Sequence, residues 1–331
     1  MDKKNLAKLS RDLYFNKNLV YNNVSGNDAM RKIIFSALGV EEGTRGRDLY
    51  TAWQGNRHLV YAIIDNTIDA VLPTLVKDQF NSLADFQNIQ VGDEQHFRVK
   101  NKDLFRVGVI ASGTQDLRRQ TLHDHKFKVD TDWYGIATYV EFEQFLAGNV
   151  DWTDYVNRCA ESLSTFIGEK IYNAFALSYD GVRAKHKHTG TFDLDKLIDL
   201  SRHVKAASGG KQVDVYGTTT ALSQIVDGLD KSEAMKDEIN KVGYLSTIRG
   251  LNLIAFPDAY KAGTEDFIVS DSSLLLIPGG EKIVSVVLEG ETFTVDGEST
   301  DNTGLQMDFN TRKKFGAQVN QASIYGFYKL A

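Results

Sequence analysis

Cysteine is nearly missing from this chain of 331 residues. The single one, Cys159, excludes an intrachain disulfide, and its place among apolar residues at helical spacing reads as a small hydrophobe in a reducing compartment. Proline is almost as scarce (Pro73, Pro257 and Pro278), and no stretch is low in complexity, which excludes disorder on a large scale. No apolar run approaches membrane-spanning length, and the opening MDKKNLAKLSRDLYF lacks the apolar core of a secretion signal. A basic excess is absent too. The net charge of −6 argues against a dedicated nucleic-acid binder.

What is present is an ordinary globular composition, 42% hydrophobic and 25% charged, on a length beyond a single core. Two or more subdomains are expected. The charge is uneven: residues 1–60 hold ten Lys or Arg against six Asp or Glu, a net +4, while the rest of the chain carries −10. A mildly basic segment on an acidic body permits charge-complementary packing between copies, although chance unevenness gives the same count.

Up to about Gly55 the chain is polar and dotted with Gly and Asn, and it reads as an extended arm with only short helical patterns. From Arg57 to Val76, Leu59, Val60, Ile63, Ile64, Ile68, Val71 and Leu72 recur at three- and four-residue steps, which predicts a helix. Between Ile89 and Phe142 the period falls toward two. Phe97 and Val99, then Phe105, Val107 and Val109, then Phe127 and Val129, then Ile136, Thr138 and Val140 alternate with charged or small residues. This predicts a long two-stranded ribbon, which buries too little to be stable alone.

Asp151–Ser178 is the strongest element: Trp152, Tyr155, Val156, Cys159, Leu163, Phe166, Ile167, Ile171, Tyr172 and Phe175 form one apolar stripe. At 1.5 Å per residue that helix spans about 40 Å. Beyond it, Phe192–Ala207 is an amphipathic helix, Val213–Tyr216 a strand, and Thr218 or Thr219 caps a helix over Thr220–Val226. Strands are expected at Leu253–Phe256, Phe267–Val269, Leu274–Ile277, Ile283–Leu288, Glu291–Val295, Gly304–Asn310, Lys313–Val319 and Ile324–Tyr328. The class is α+β.

Catalytic signals are thin. His123 and His125 would share a strand face and could begin a metal site, but a structural zinc needs about four ligands and a catalytic one about three. The repeat of that spacing at His186 and His188, in KHKH, reads as a basic turn. Glu141 and Glu143 would also share a strand face, where like charges repel and stay solvated. The segment VYGTTTAL lacks the spacing and the lysine of a phosphate-binding loop, so a Thr-capped helix after a tight turn is expected. No catalytic, cofactor-binding or metal residue is assigned. The aromatic stripe of the long helix is read as core.

The order of these pieces resembles the major capsid proteins of tailed bacteriophages, whose fold encapsulin nanocompartments share. The resemblance rests on the ribbon, on the helix VDWTDYVNRCAESLSTFIGEKIYNAF, on DVYGTTTALSQI, and on the closing runs IVSDSSLLLIPGGEKIVSVVLEGETF and FGAQVNQASIYGFYKL. It implies an N-terminal arm over residues 1–56, a helical lead-in over 57–90, and a long hairpin called the E-loop over 91–130. A peripheral-domain strand and spine helix would occupy 131–180, an axial domain 181–275, and closing strands of both domains 276–331. Some members of that family join neighbours through a Lys–Asn bond. Lys100, Lys102, Lys126 and Lys128 lie in the ribbon, but nothing in the sequence identifies a reactive pair.

The function implied is a major capsid protein that self-assembles into an icosahedral head shell around double-stranded phage DNA, without enzymatic activity or cofactors. Its partners would be other copies in hexamers and pentamers, a portal and non-specifically packaged DNA, with no membrane, and the shell would close either on a separate scaffold protein or without one. It would assemble in the host cytoplasm and reside in the virion capsid. A second reading within the fold is an encapsulin-like shell. From another class comes a metal-dependent enzyme built on His123 and His125.

Overall fold

The computed structural model describes residues 3–330 except 16–19, 22–23, 101–103, 111, 113–116, 118, 122–123, 148, 227–231, 298–305 and 321. The chain opens with α1 (Lys3–Phe15), β1 (Val20–Tyr21), β2 (Val24–Ser25) and α2 (Gly26–Leu38), and then enters α3 (Gly46–Phe80), 35 residues long. The segment expected as an extended arm is therefore largely helical. Leu6 on α1 is buried, as are Met30, Ile34 and Leu38, which lie one turn apart on α2. Ser10 of α1 donates to Thr67 Oγ1 of α3 at 3.2 Å. The stripe on α2, which buried Phe35 joins, is short, and the polar stretch before it disguised it in the sequence.

Helix α3 begins well before the expected Arg57, because Leu49 and Trp53 extend the same buried face. It is the one helix among the described residues long and apolar enough to cross a membrane by length and composition. Its apolar side chains are spent on the protein core instead, with Val60, Ile64, Ile68, Leu72 and Val76 fully buried.

Next come β3 (Ala84–Ile89), β4 (His96–Val99), β5 (His125–Lys128), β6 (Asp132–Glu141), α4 (Phe142–Leu146) and α5 (Trp152–Ser178). The Asp151 carboxylate caps α5 by accepting from the amides of Thr153 and Asp154 at 3.1 and 3.0 Å. At Gly168 the helix comes so close to α3 that an added Cβ would lie 2.8 Å from the Phe80 ring. The predicted long ribbon is shorter than its sequence period suggests. Only β4 and β5 pair, four residues each, and the segment 104–110 between them has no ladder partner among the described residues.

The remaining elements are β7 (Lys187–Gly190), α6 (Leu194–Ala207), β8 (Val213–Gly217), α7 (Thr219–Ser223), α8 (Glu233–Val242), β9 (Thr247–Ile248), β10 (Leu251–Ala255), β11 (Ser273–Pro278), β12 (Val284–Asp296), β13 (Gln306–Val319) and β14 (Gly326–Leu330). One mixed sheet runs β7-β14-β11-β8-β10-β9, and a second runs β3-β12-β13-β6. The pairs of short strands expected after Ile283 and after Gly304 are single long strands. β12 absorbs a register shift between Glu289 and Phe293, where Gly290 takes φ 71°. The strand expected at Phe267–Val269 is only a one-residue bridge, Tyr260 to Phe267.

Two cores result. The larger gathers α1, α2, α3 and α5 against the inner face of the four-stranded sheet, through Trp53, Ile64, Ile167, Val286, Phe309 and Phe315. The smaller lies between α6 and the six-stranded sheet, through Leu197, Val204, Val215, Leu274 and Tyr328. The α+β class follows directly from this layering.

Candidate assembly surface

The short ribbon is bolted to the four-stranded sheet at its root. Glu289 of β12 is buried at 3% exposure, and its carboxylate accepts the Gly92 amide at 3.0 Å, the Lys314 ammonium at 2.8 Å and the Thr131 hydroxyl. Burial opposes the charge, but Lys314, Thr131 and the Gly92 amide outweigh it and hold the pKa at about 2. Two glycines let the root approach. A Cβ on Gly290 would meet Val91 Cγ2 at 2.3 Å, and one on Gly316 would meet the Asp130 carbonyl oxygen at 2.0 Å. Above them Phe97 and Phe127 stack at 5.5 Å, over Val129 and Val287. Arg98–Asp124 at 2.7 Å and Lys128–Glu94 at 2.6 Å flank the pair.

Past this root the ribbon carries apolar side chains into solvent. Leu104, Val107 and Val109 are at least 94% exposed, and Phe105 and Ile110 about half. The Arg106 backbone is bonded in both directions by the side-chain amide of Gln120, at 2.8 and 2.9 Å, rather than by a neighbouring strand. A second patch lies on the outer face of the four-stranded sheet, where Trp133, Tyr139, Phe293 and Val295 are all exposed and the rings of Trp133 and Phe293 stand 6.1 Å apart. A third is the stacked pair Tyr260 and Phe267, centroids 4.9 Å apart. Contiguous exposed apolar surface of this kind marks interaction sites.

The inner face of the same sheet is tied to α3 by a polar network. Asp69 accepts from the Thr292 amide at 2.9 Å and hydroxyl at 2.6 Å, and from the Lys313 ammonium at 2.7 Å. Lys313 also donates to the Gly290 carbonyl at 2.7 Å, and Thr294 donates to Asp65 at 2.6 Å. Burial pushes the Asp65 carboxyl up to about 6. These groups bond to one another and clamp helix to sheet.

The residues singled out in the sequence are scattered. His125 opens β5 and is exposed, while His123 lies outside the described residues. Among the described residues no group of three or more His, Cys, Asp or Glu is placed to hold a metal ion. Glu141 ends β6 but Glu143 sits in α4, so the two do not share a strand face. KHKH is not a solvated turn: His186 is buried, and His188 packs its ring 4.9 Å from that of Tyr328. Burial, with Arg183 and His203 nearby, lowers the His186 pKa.

VYGTTTAL forms β8, the cap and α7, with Thr218 Oγ1 accepting the Ala221 amide at 3.1 Å. The aromatics of α5 are core, Trp152 lying 6.1 Å from Trp53 and 6.0 Å from Phe309. Of the ribbon lysines, Lys102 is outside the described residues, and Lys128 is held by Glu94. Sequence reasoning missed Glu289, Thr131, Gly290 and Gly316. For Glu289 and Gly290 the local signal was the EGE interruption within a run of strand residues, where β12 shifts register.

Comparison with known proteins agrees with this geometry. The family model described as "SPbeta prophage-derived putative capsid protein YonB" matches residues 42–327. No curated protein sequence matches the chain. Among solved structures, the capsid of cyanophage P-SCSP1u aligns with a TM-score of 0.50 at 10% identity, over 76% of this chain and 88% of that one. The capsid of a native GTA particle aligns with a TM-score of 0.50 at 13% identity, over 78% and 90%. At such identities the likeness is one of fold.

Proposed function

Since the chain belongs to the SPbeta prophage-derived capsid protein family YonB, we propose that this major capsid protein works by closing many copies, as hexamers and pentamers, into an icosahedral head shell around double-stranded phage DNA. The observation that carries this reading is the ribbon. Its root is fixed by a buried ionic cluster while its outer half presents Leu104, Val107 and Val109 to water. A segment built this way finds its burial on other copies.

Within the shell, residues 57–90 and 131–180 form the frame with its spine helix α5, and 91–130 reach across to a neighbour. Residues 181–275, which build the smaller core together with β11 and β14, are the axial domain, and 276–331 close both domains. The net charge of −6 fits DNA held without sequence reading, because tight phosphate binding would oppose packing and release. A portal completes the set of partners, closure proceeds either on a separate scaffold protein or without one, and assembly takes place in the host cytoplasm. The role is structural and non-enzymatic.

Negative-stain electron microscopy of the protein, expressed alone and with its neighbouring genes, tests this. Uniform closed shells are expected in at least one of the two preparations. A monodisperse monomer in both, at high concentration, removes the reading.

A further inference from the structure

Part of the contact between α3 and β12 is a seam of polar groups. Arg57, Tyr61, Asp65 and Asp69 follow one another at four-residue steps on α3, about 6.0 Å apart along its axis. Asp296, Thr294 and Thr292 alternate on β12, about 6.8 Å apart. The two repeats nearly match, so successive helical turns meet alternate strand residues. Arg57 and Tyr61 bond to Asp296, Thr294 donates to Asp65 at 2.6 Å, and Thr292 donates to Asp69 at 2.6 Å.

Charge along this seam does not balance. The only ammonium bearing on Asp65 and Asp69 is that of Lys313, which is buried and lies 2.7 Å from Asp69. Asp65 takes its hydrogen bonds from the hydroxyl and amide of Thr294. Farther along, Arg57 faces Asp296, and Tyr155 of α5 stands near Tyr61. With both carboxylates ionised, two negative charges meet one positive. With Asp65 protonated the cluster is neutral. An uncompensated charge is costly in such surroundings, and burial holds the Asp65 carboxyl up at about 6.

The seam reaches the ribbon through the bulge in β12. Glu289 pairs with Lys314 and Phe293 with Arg312, so residues 290–292 stand opposite Lys313 alone. Side chains of the seam take the backbone groups that the bulge frees: the Gly290 carbonyl accepts from Lys313 at 2.7 Å, and the Thr292 amide donates to Asp69 at 2.9 Å. The next residues along, Glu289 and Lys314, hold Gly92 and Thr131 at the ribbon root. Gly290 also lies where Val91 leaves no room for a Cβ. One backbone step separates the groups that fix α3 from those that fix the ribbon.

We propose that Asp65 is a proton-controlled latch: protonated, it locks α3 onto the bulge of β12; ionised, it loosens the bulge and, through Lys313 and Gly290, the root of the ribbon. The device lies within one subunit and does not depend on how copies assemble. Its sign follows from a carboxyl raised above its ordinary value, so the hold is full below about pH 4 and is lost as the pH rises through 6.

Hydrogen exchange of wild-type subunits at pH 5 and pH 7.5, corrected for the intrinsic effect of pH, tests this. For a carboxyl moved from 3.8 to about 6, openings that return Asp65 to water become about tenfold more frequent over that interval. Amides of 290–294, and those of 91–92 and 130–131, should show that rise. Asp65→Asn, uncharged at both pH values, should abolish it while leaving His96 and His125 of the ribbon in place. A level wild-type profile overturns the proposal, and so does a rise that survives in Asp65→Asn. A rise confined to 290–294 overturns the link to the ribbon. Asp65→Ser, also uncharged, takes over if Asp65→Asn does not fold, and the wild-type profile decides alone if neither folds.

Discussion

At Glu289 burial works against the charge, yet three donors keep the carboxylate ionised down to about pH 2. Its folded pKa is below the unfolded value, so its contribution is fully present above about pH 4.5 and is lost as the pH falls through about 2. Glu289→Gln should lower stability at pH 7 by roughly 2–4 kcal/mol, because Lys314 loses its buried partner, and should flatten the acid limb of the stability curve. Urea denaturation across pH 2–7 measures both, and an unchanged acid limb contradicts the assignment. Asp65 behaves in the opposite sense. Burial raises it to about 6, so the stability it adds is full below about pH 4 and is lost as the pH rises through 6. Asp65→Asn keeps an oxygen for the Thr294 hydroxyl and removes the cost of burying charge. It should raise stability at pH 7 by about 1–2 kcal/mol and leave pH 4 nearly unaffected.

Among elements, the ribbon root depends on close backbone approach. Alanine at Gly316 puts a Cβ 2.0 Å from the Asp130 carbonyl oxygen, where only backbone can yield. At Gly168 the obstacle is the tip of the Phe80 ring, which can turn. Gly316→Ala should therefore cost about 2 kcal/mol or more, clearly above Gly168→Ala, with new proteolytic cleavage near Asp130. Equal losses in thermal denaturation would contradict the account.

What was readable in the sequence follows the same physics. Helix α5 was legible residue by residue, because its stripe is wide and Asp151 marks its start. The arm was not, since the buried stripe of α2, Met30, Ile34, Phe35 and Leu38, is short and follows a polar stretch dotted with Gly and Asn. The ribbon's alternation was read as pairing, although Phe105, Val107 and Val109 have no ladder partner among the described residues. Periodicity reports which conformation a segment favours and is silent about where its partner lies. The root cluster escaped for a further reason: Gly92, Thr131, Glu289 and Lys314 meet only through the sheet, across 158 or more positions for the Thr131–Glu289 and Gly92–Glu289 bonds.

At the scale of the whole molecule, the ribbon contributes little to the subunit that carries it. Its apolar contacts form a small cluster of Phe97, Val129 and Val287 with Ile89 and Phe127, apart from the two large cores. Removing Gly92–Asp130 exposes one face of Val287 and leaves both cores intact. Such a deletion should give soluble subunits with near-native circular dichroism and a cooperative unfolding transition, but a sedimentation profile without closed shells. Normal particles from the deletion, seen by negative stain, would show that the exposed apolar residues of the ribbon are not what joins copies. Loss of folding would instead mean that the root cluster supports the frame. The two outcomes separate because stability resides in the cores of one chain, whereas closure requires surface that one chain cannot bury by itself.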